Sequence, residues 1–440
     1  MPLKNYYQNI ISNLNTSKFL RFFLYMLIFF QPFNRFNSFR EIALYGLLIA
    51  FILKIFRDKT LSIDFRDKTI VALSCLVVWS VLVSLLGPYP ADSLNAIRKN
   101  LLVQILIFLI IITEFKDIQK LKKLFQIVVA SFSVVTIASI IEVIQANWIA
   151  SHQLNRTHKM FIAGYANNAT FYLPFIAAWL VSLSKTKWEK WTGIATLILG
   201  FVVIFIYNSR TALIAIPAGI LIILFLSKKY KLLIVSLIVF ILCIAVIFSS
   251  KSDTLSKYRT LSAPETYTKM HSRIFVWRGA LHIIEKRPFL GYGYGWKKMA
   301  WAAIDVNLAE YWKQYHPDTY SYYVVENVNS GYGRVSPHNL MLQVTFEIGL
   351  IGLIILMWVW ITIISKIYLT YNAKKRNEFQ DFIVYSNGII ISYALINITN
   401  GFWQETYGNM LFFFFATLFV LYKNSINKKC REENVYQSRK

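Results

Sequence analysis

One histidine lies where a long polar loop meets an apolar segment. The loop ends at Pro337, and His338 then precedes an apolar helix that the sequence predicts to run to about Ser365. Imidazole exchanges protons near neutral pH, so His338 is a candidate base. Because a histidine at a membrane surface is more often a hydrogen-bonded anchor, the role of His338 depends on the residues around it.

Three arginines could hold an anion at the same surface. Arg210 stands within an otherwise apolar run, residues 192–227, where an arginine is costly unless it faces water, the protein interior or lipid phosphates. Arg273 and Arg278 lie in the polar loop. Each could be a solvated surface charge, or it could supply the planar hydrogen-bond donors that phosphate oxygens favour. Such arginines beside a base would suit group transfer from a lipid with a phosphate leaving group: arginine holds the developing charge, and histidine accepts a proton from the attacking hydroxyl.

The polar loop from about 251 to 337 is the only loop long enough to form a small domain. Its many aromatic residues, Trp277 and Tyr292 among them, suit stacking on sugar rings and equally suit a lipid headgroup layer. The apolar spacing of Ser272–Arg287 predicts an amphipathic helix that rests on the membrane or on the bundle. The apolar residues of this helix are Ile274, Trp277, Leu281 and Ile284.

Two further features lie in loops predicted to face outward. The segment Gly291–Gly295, with glycine at every second position, lacks the flanking strand and helix of a dinucleotide site. It predicts a tight turn that could act as the hinge of a lid. A smaller loop, residues 149–168, offers a second patch that could hold an anion, with Arg156 as its candidate substrate-binding residue. The basic residues of this patch are His152, Arg156, His158 and Lys159.

A membrane-spanning bundle must position these side chains. Hydrophobic residues make up 56% of the chain, above the roughly 45–50% of soluble domains. Apolar runs near the ~20 residues that cross a bilayer recur along it. The sequence predicts an all-α polytopic membrane protein of about 12 transmembrane helices with a large, mainly helical periplasmic loop. The predicted spans are residues 19–34, 41–56, 70–87, 100–114, 124–148, 169–184, 192–207, 211–227, 232–250, 339–365, 383–402 and 408–422.

The basic residues that give the chain its net charge of +25 are distributed as a membrane topology predicts. The basic residues form no continuous stripe for nucleic acid, and they cluster in alternate connections, as the positive-inside rule describes. Both termini are therefore predicted to be cytoplasmic, and Arg210, Arg273 and His338 share the periplasmic face. The predicted organisation is spans one to nine in residues 1–250, the periplasmic loop in 251–337, spans ten to twelve in 338–422 and a cytoplasmic tail in 423–440.

Other kinds of site are not indicated. The first eighteen residues lack the apolar core and cleavage site of a signal peptide. Cys75, Cys243 and Cys430 have the spacing of neither a metal cluster nor a disulfide framework. Walker, Gly-x-Ser-x-Gly and HExxH motifs are absent, and the first outward loop, near Asn34–Arg40, has no Asp-x-Asp pair for a metal-dependent transferase. We therefore expect neither a cofactor nor a bound metal.

Four stretches of the chain match the sequence patterns of one family. The most specific is His338-Asn339, nine residues, Gly349, two residues and Gly352, which fits a pattern of His, Asn/Ser/Gln, nine residues, Gly, two residues and Gly/Thr/Tyr. The other stretches are Asn208–Ala212, His271–Gly293 and, less clearly, Phe161–Leu173. With its predicted spans and its large loop before the last three, the chain resembles the bacterial O-antigen ligases and, more widely, the Wzy/O-antigen ligase superfamily.

The resemblance implies a reaction and a set of roles. A ligase would move O-antigen from undecaprenyl pyrophosphate onto a terminal sugar of lipid A-core, at the periplasmic leaflet of the bacterial inner membrane. His338 would be the base, and Arg210 and Arg273 would hold the pyrophosphate while a single displacement inverts the anomeric carbon. The predicted substrate-binding residues are Arg278, Arg156, Asn339, Trp277 and Tyr292. The predicted partners are the lipid-linked donor, the lipid A-core acceptor and membrane lipids, without nucleic acid.

Two other interpretations stay open. An O-antigen polymerase or a protein O-oligosaccharyltransferase would use the same donor with another acceptor. The polymerase spacing Arg-x15-Gly is absent at each candidate arginine, which favours the ligase. A transporter of lipid-linked glycan would place ionisable groups near the midplane and show repeated halves. This chain has no clear repeat and its polar groups crowd one face, which favours an enzyme.

Overall fold

The structure, a computed structural model, describes residues 16–33, 35–58, 63–146, 161, 164–207, 209–249, 264–325, 335–373 and 375–437, and the regular elements within these ranges are all helices. The helices before the large loop are α1 (Thr16–Phe30), α2 (Asn37–Asp58), α3 (Lys68–Leu86), α4 (Pro90–Glu114), α5 (Ile118–Gln145), α6 (Tyr165–Ser182), α7 (Lys187–Tyr207), α8 (Arg210–Leu226) and α9 (Tyr230–Ser249). The loop contributes α10 (Pro264–Lys286), α11 (Met299–Asp305) and α12 (Leu308–Tyr315), and the chain ends with α13 (Leu340–Tyr371), α14 (Glu378–Asn397) and α15 (Glu405–Gln437).

Each predicted apolar segment coincides with one of these helices. Seven helices of the described part of the chain, α3, α4, α5, α7, α13, α14 and α15, are long and apolar enough to cross a membrane. A further apolar helix, Thr211–Leu226 within α8, is shorter. The prediction of an all-α polytopic membrane protein is confirmed, while the number of twelve spans and the periplasmic position of the loop stay predictions.

The apolar run at 192–227 is interrupted at the predicted place. Helix α7 ends at Tyr207 and α8 begins at Arg210, so two helices replace one that would overrun the bilayer. Helix α8 then packs closely on α14: a Cβ atom added at Gly219 would lie 2.5 Å from the carbonyl oxygen of Gly388. Small residues permit such close approach between membrane helices. The two helices are antiparallel, and the start of α8 therefore lies beside the end of α14.

Ion pairs tie helices together at the end of the bundle away from His338. The Lys366 ammonium on α13 lies 3.2 Å from the carboxylate of Asp67, the residue that caps α3. Lys423 on α15 reaches the same carboxylate at 3.0 Å. A carboxylate between two ammonium groups compensates charges that would be costly to bury alone. The two ends of the bundle thus differ in chemistry.

The helices of the loop form a small second core of their own. The buried side chains of this core include Ala280, Ile283, Leu308, Trp312, Tyr323 and, from α13, Phe346. Because Phe346 belongs to both the loop core and α13, the loop is fixed to the bundle at that point. The loop is thus anchored near the start of α13, where His338 lies.

The amphipathic helix predicted in the loop exists as α10, and its predicted apolar residues differ in how deeply they are buried. Ile284 is buried and Trp277 is half-buried, whereas Ile274 and Leu281 are exposed. The physical reason is a contact from further along the chain, because the ring of Tyr323 packs where a side chain at Gly279 would stand. This contact fixes the rotation of α10 about its own axis.

Candidate functional site

His338 lies in the short segment that leads from the loop into α13. Its backbone φ of 47° is left-handed, a conformation that residues with side chains seldom adopt. The His338 N–H donates to the Ser336 hydroxyl oxygen at 3.2 Å, which helps to hold the turn. Burial, and then the charge of Arg273, lower the pKa of His338 to about 4. The imidazole is therefore neutral at pH 7 and can accept a proton.

The guanidinium of Arg273 lies against this turn. Its Nη1 donates to the carbonyl oxygen of Thr399 and reaches the carbonyl oxygen of His338 at 3.4 Å. Burial lowers the pKa of Arg273, but a guanidinium stays protonated in proteins. Its partners among the described residues are carbonyl oxygens, and no carboxylate pairs with it there. A half-buried cation without a counter-charge favours the binding of an anion.

Asn339, the residue after His338, secures the start of α13. Its side-chain oxygen accepts the Leu342 N–H at 3.1 Å, which caps the helix. Its side-chain nitrogen donates to the carbonyl oxygen of Ile398 at 3.1 Å. The side chain thus joins α13 to the end of α14, and its predicted role as a substrate contact stays a prediction.

The end of α14 also connects the start of α8 to the site. The Thr399 hydroxyl donates to the Thr211 hydroxyl at 3.2 Å, and Thr211 directly follows Arg210, the first residue of α8. The side chain of Arg210 lies outside the described part of the structure. Thr399 thus contacts both Arg273 and Thr211, the neighbour of Arg210 in the chain, and Arg273 in turn reaches the carbonyl oxygen of His338.

The glycine-rich turn packs into a break in α13. Gly349 has a φ of 71°, which interrupts the helix. At this break Tyr292 N–H donates to the Phe346 carbonyl at 2.9 Å, and Leu350 N–H donates to the Pro288 carbonyl at 2.8 Å. A side chain at Gly349 would overlap the backbone of the turn. The turn is therefore buried and hydrogen-bonded to α13, and a role as the hinge of a lid stays a prediction.

The other two predicted arginines do not share the contacts of Arg273. The guanidinium of Arg278 lies 3.2 Å from Nδ1 of His316, just beyond α12. Arg278 lies five positions after Arg273 on α10, so the two side chains leave the helix in different directions. Arg156 lies outside the described residues. Anion binding at these two positions stays a prediction.

The two aromatic residues predicted to contact substrate are buried to different degrees. Tyr292 is buried, stacks on Phe346, and donates its hydroxyl to the carbonyl of Ile283 at 2.9 Å. Trp277 is half-buried, and its indole N–H has no hydrogen-bond partner among the described residues. Tyr292 thus helps to fix α10, and substrate contact by either side chain stays a prediction.

One buried acid near the site was not predicted from the sequence. Glu347 is fully buried in α13, two residues before the break at Gly349. The sequence does contain a signal for it: a single glutamate inside an apolar helix is costly to bury unless hydrogen-bond partners satisfy it. Its partners are the backbone of Gly295 and the side chains of Gln343, Trp403 and Gln404.

These features define a multi-pass helical membrane protein with a neutral histidine and a half-buried arginine at one end. Residues 195–357 match the family model described as O-Antigen ligase, a range that contains Arg210, Arg273, His338 and Gly349. The match covers fewer than half of the residues of the chain, and it shows that this part is similar to the O-antigen ligase family. No curated protein matches the chain.

Proposed function

We propose that this protein transfers O-antigen polysaccharide from undecaprenyl pyrophosphate to lipid A-core at the periplasmic leaflet of the bacterial inner membrane. The family match supports this class of reaction. The observation that carries the proposal is the contact between Arg273 and the His338 turn, because it joins a neutral base to a cation that has no counter-charge among the described residues. Displacement of a pyrophosphate group needs both functions.

The proposed reaction is a single displacement. His338 accepts the proton of an acceptor-sugar hydroxyl, and that oxygen bonds to the anomeric carbon of the glycan as the bond from this carbon to the pyrophosphate oxygen breaks. Undecaprenyl pyrophosphate leaves with the electron pair, and the guanidinium groups of Arg273 and Arg210 hold its added charge. Because attack and departure occur on opposite sides, the anomeric carbon is inverted and no covalent enzyme intermediate forms.

Binding of the negatively charged lipid-linked donor would change the pKa of His338. The positive charge of Arg273 contributes to the low pKa of His338. A pyrophosphate bound to Arg273 would offset that charge and raise the pKa of His338 toward the neutral range. A base is most effective when its pKa lies near the working pH. His338 would therefore become a better base once the donor is in place.

The acceptor separates the ligase from its relatives. We expect purified protein, given a defined lipid-linked donor, to glycosylate rough lipopolysaccharide in preference to a second lipid-linked glycan or a peptide. Preference for the second glycan would identify a polymerase, and preference for the peptide a protein O-oligosaccharyltransferase. Movement of the donor across vesicles without any transfer would favour the transporter.

We expect transfer to continue in excess EDTA. The reason is that Arg273 and Arg210 are proposed to hold the charge that a divalent cation holds in other transferases. The measurement is the initial rate of transfer to rough lipopolysaccharide with and without the chelator. Loss of transfer in EDTA, followed by recovery on addition of magnesium, would contradict the arginine mechanism.

The predicted topology can be checked by labelling with a membrane-impermeant thiol reagent. In a variant without Cys75, Cys243 and Cys430, we expect a cysteine at the exposed position Glu310 to react from the periplasmic side of intact cells. A cysteine at the exposed position Lys375, in the connection between α13 and α14, should react only after lysis. This follows from the distribution of basic residues. The reverse pattern would place the His338 site on the cytoplasmic side.

A further inference from the structure

The carboxylate of Glu347 joins parts of the chain that are far apart in sequence. One oxygen accepts from Nε2 of Gln343 at 2.9 Å and from Nε1 of Trp403 at 3.4 Å. The other oxygen accepts from the N–H of Gly295 at 2.8 Å and from Nε2 of Gln404. Every one of these partners is a donor, which is the pattern that an ionised carboxylate satisfies and that a side-chain amide does not.

Three of the four donors to Glu347 belong to two segments, the glycine-rich turn and residues 398–404, and each segment is connected to Arg273 in its own way. Gly295 ends the glycine-rich turn, which follows α10 and therefore follows Arg273 itself. Trp403 and Gln404 end the segment 398–404 between α14 and α15, and Thr399 of this segment accepts a hydrogen bond from Arg273. Glu347 thus completes a ring that runs through the glycine-rich turn, α10, Arg273 and the segment that carries Thr399.

A buried lysine supports the same ring. Lys298 is 3% exposed, and its ammonium donates to the carbonyl oxygen of Tyr294 at 2.9 Å and to the hydroxyl of Ser93. Burial lowers the pKa of Lys298, and the negative charge of Glu347 opposes that shift. The positive charge near Glu347 reduces the cost of burying the carboxylate. The glycine-rich turn is therefore held by a buried acid and a buried base together.

A residue at position 347 that only held the helices together would not need to be a carboxylate. An apolar side chain of similar size is often as stabilising as a buried charge inside a helical bundle, because it avoids the cost of desolvation. Glu347 instead satisfies donors from both segments at once: one segment carries Thr399, the partner of Arg273, and the other follows the helix that carries Arg273.

We infer that Glu347 is a positioning residue, which holds the glycine-rich turn and the segment 398–404 so that Arg273 contacts both Thr399 and the His338 turn. The inference rests on the proposed function for its effect on the rate of transfer. Its effect on the backbone can be measured without any transfer.

The test compares Glu347→Gln with wild type. The amide group turns one of the accepting positions into a donor, which opposes a donor already there. We expect kcat to fall about 10²-fold, the size of effect that a displacement of ~1 Å in a site produces, with a smaller change in KM for the acceptor. Glu347→Asp keeps the carboxylate and should recover part of kcat. Thr362→Val, which removes a buried hydroxyl from the other end of α13, should retain kcat.

A double variant tests whether Glu347 acts through Arg273. In a protein that already carries Arg273→Lys, we expect Glu347→Gln to lower kcat only a few-fold further, because both changes disturb one unit. Losses that multiply in the double variant would show that Glu347 acts independently of Arg273, and would overturn the inference.

Hydrogen exchange followed by mass spectrometry supplies the readout that does not depend on activity. In Glu347→Gln we expect faster amide exchange at Gly295 and across 398–404, and no such change in Thr362→Val. Unchanged exchange at both places would overturn the inference. If wild-type protein transfers no glycan to any acceptor, the proposed function fails, and the exchange result alone then decides the role of Glu347.

Discussion

Replacement of His338 by asparagine is expected to reduce the rate of glycan transfer by about 10²–10⁴-fold, the usual contribution of a general base. Asparagine is among the residues that best tolerate a left-handed backbone, and His338 has a φ of 47°. The turn and its contact with Arg273 should therefore persist, and only the basic nitrogen is lost. The measurement is the initial rate with purified protein in lipid nanodiscs, with a defined lipid-linked donor and rough lipopolysaccharide.

A second histidine supplies the matched control for this experiment. Nδ1 of His282 accepts the indole N–H of Trp312 at 2.9 Å, and the side-chain oxygen of an asparagine can take over that hydrogen bond. We expect His282→Asn to keep most of its activity and His338→Ala to lose as much as His338→Asn. Near-normal transfer by both His338 variants, with folded protein in normal yield, would remove this residue from the mechanism.

Replacement of Arg273 by lysine is expected to cost roughly 10²–10³ in rate, by analogy with the loss of one donor from an oxyanion hole. Lysine keeps the positive charge but loses the planar arrangement of N–H groups that can contact two phosphate oxygens together. In the free protein those N–H groups also hold Thr399 and approach His338. Steady-state rates at several concentrations of lipid-linked donor will separate weaker binding from slower chemistry.

The opposite end of the bundle offers a control arginine. Arg376 is also partly buried, contacts Asp381 at 2.9 Å and donates to the carbonyl of Tyr371 at 3.1 Å. We expect Arg376→Lys to transfer glycan at close to the wild-type rate. Equal losses in Arg376→Lys and Arg273→Lys would show a general effect on stability and would contradict a specific role for Arg273.

Lysine variants of Arg210 and Arg278 can be compared with Arg273→Lys by their loss of transfer rate. Arg210→Lys is expected to be severely impaired, because Arg210 begins α8 next to Thr211, which is bonded to Thr399. Arg278→Lys should lose less, because the contact of Arg278 is with His316. This order would be contradicted if Arg278→Lys were the most impaired of the three.

The helical spans could be predicted from the sequence because a bilayer constrains length and composition together. A segment that crosses the hydrocarbon must be apolar for ~20 residues and must satisfy its own backbone groups, so helices are marked in the sequence itself. The interruption at Arg210 follows from the same rule, and the helices on either side begin and end within a few residues of the predicted bounds. The candidate residues His338 and Arg273 were found by residue type and by their place outside these spans.

The rotation of a loop helix could not be predicted in the same way. Helix α10 exists as expected, but Ile274 and Leu281 are exposed and the buried face is defined by its contact with Tyr323. Water, lipid and protein can all cover apolar side chains in such a loop. The hydrophobic pattern alone therefore does not say which residues face the protein.

The arrangement of the site depends on contacts between distant parts of the chain. The sequence by itself determined a helical membrane bundle, and it predicted that a histidine and several arginines share one end of that bundle. Only the tertiary structure decided that Arg273, and not Arg278, meets the His338 turn, and that Gly349 breaks α13 where the glycine-rich turn packs. Only it brought Glu347 into contact with both Gly295 and Gln404. The reason is physical: a residue's type and local spacing limit what it can bind, but its partners are chosen by the packing of the whole chain.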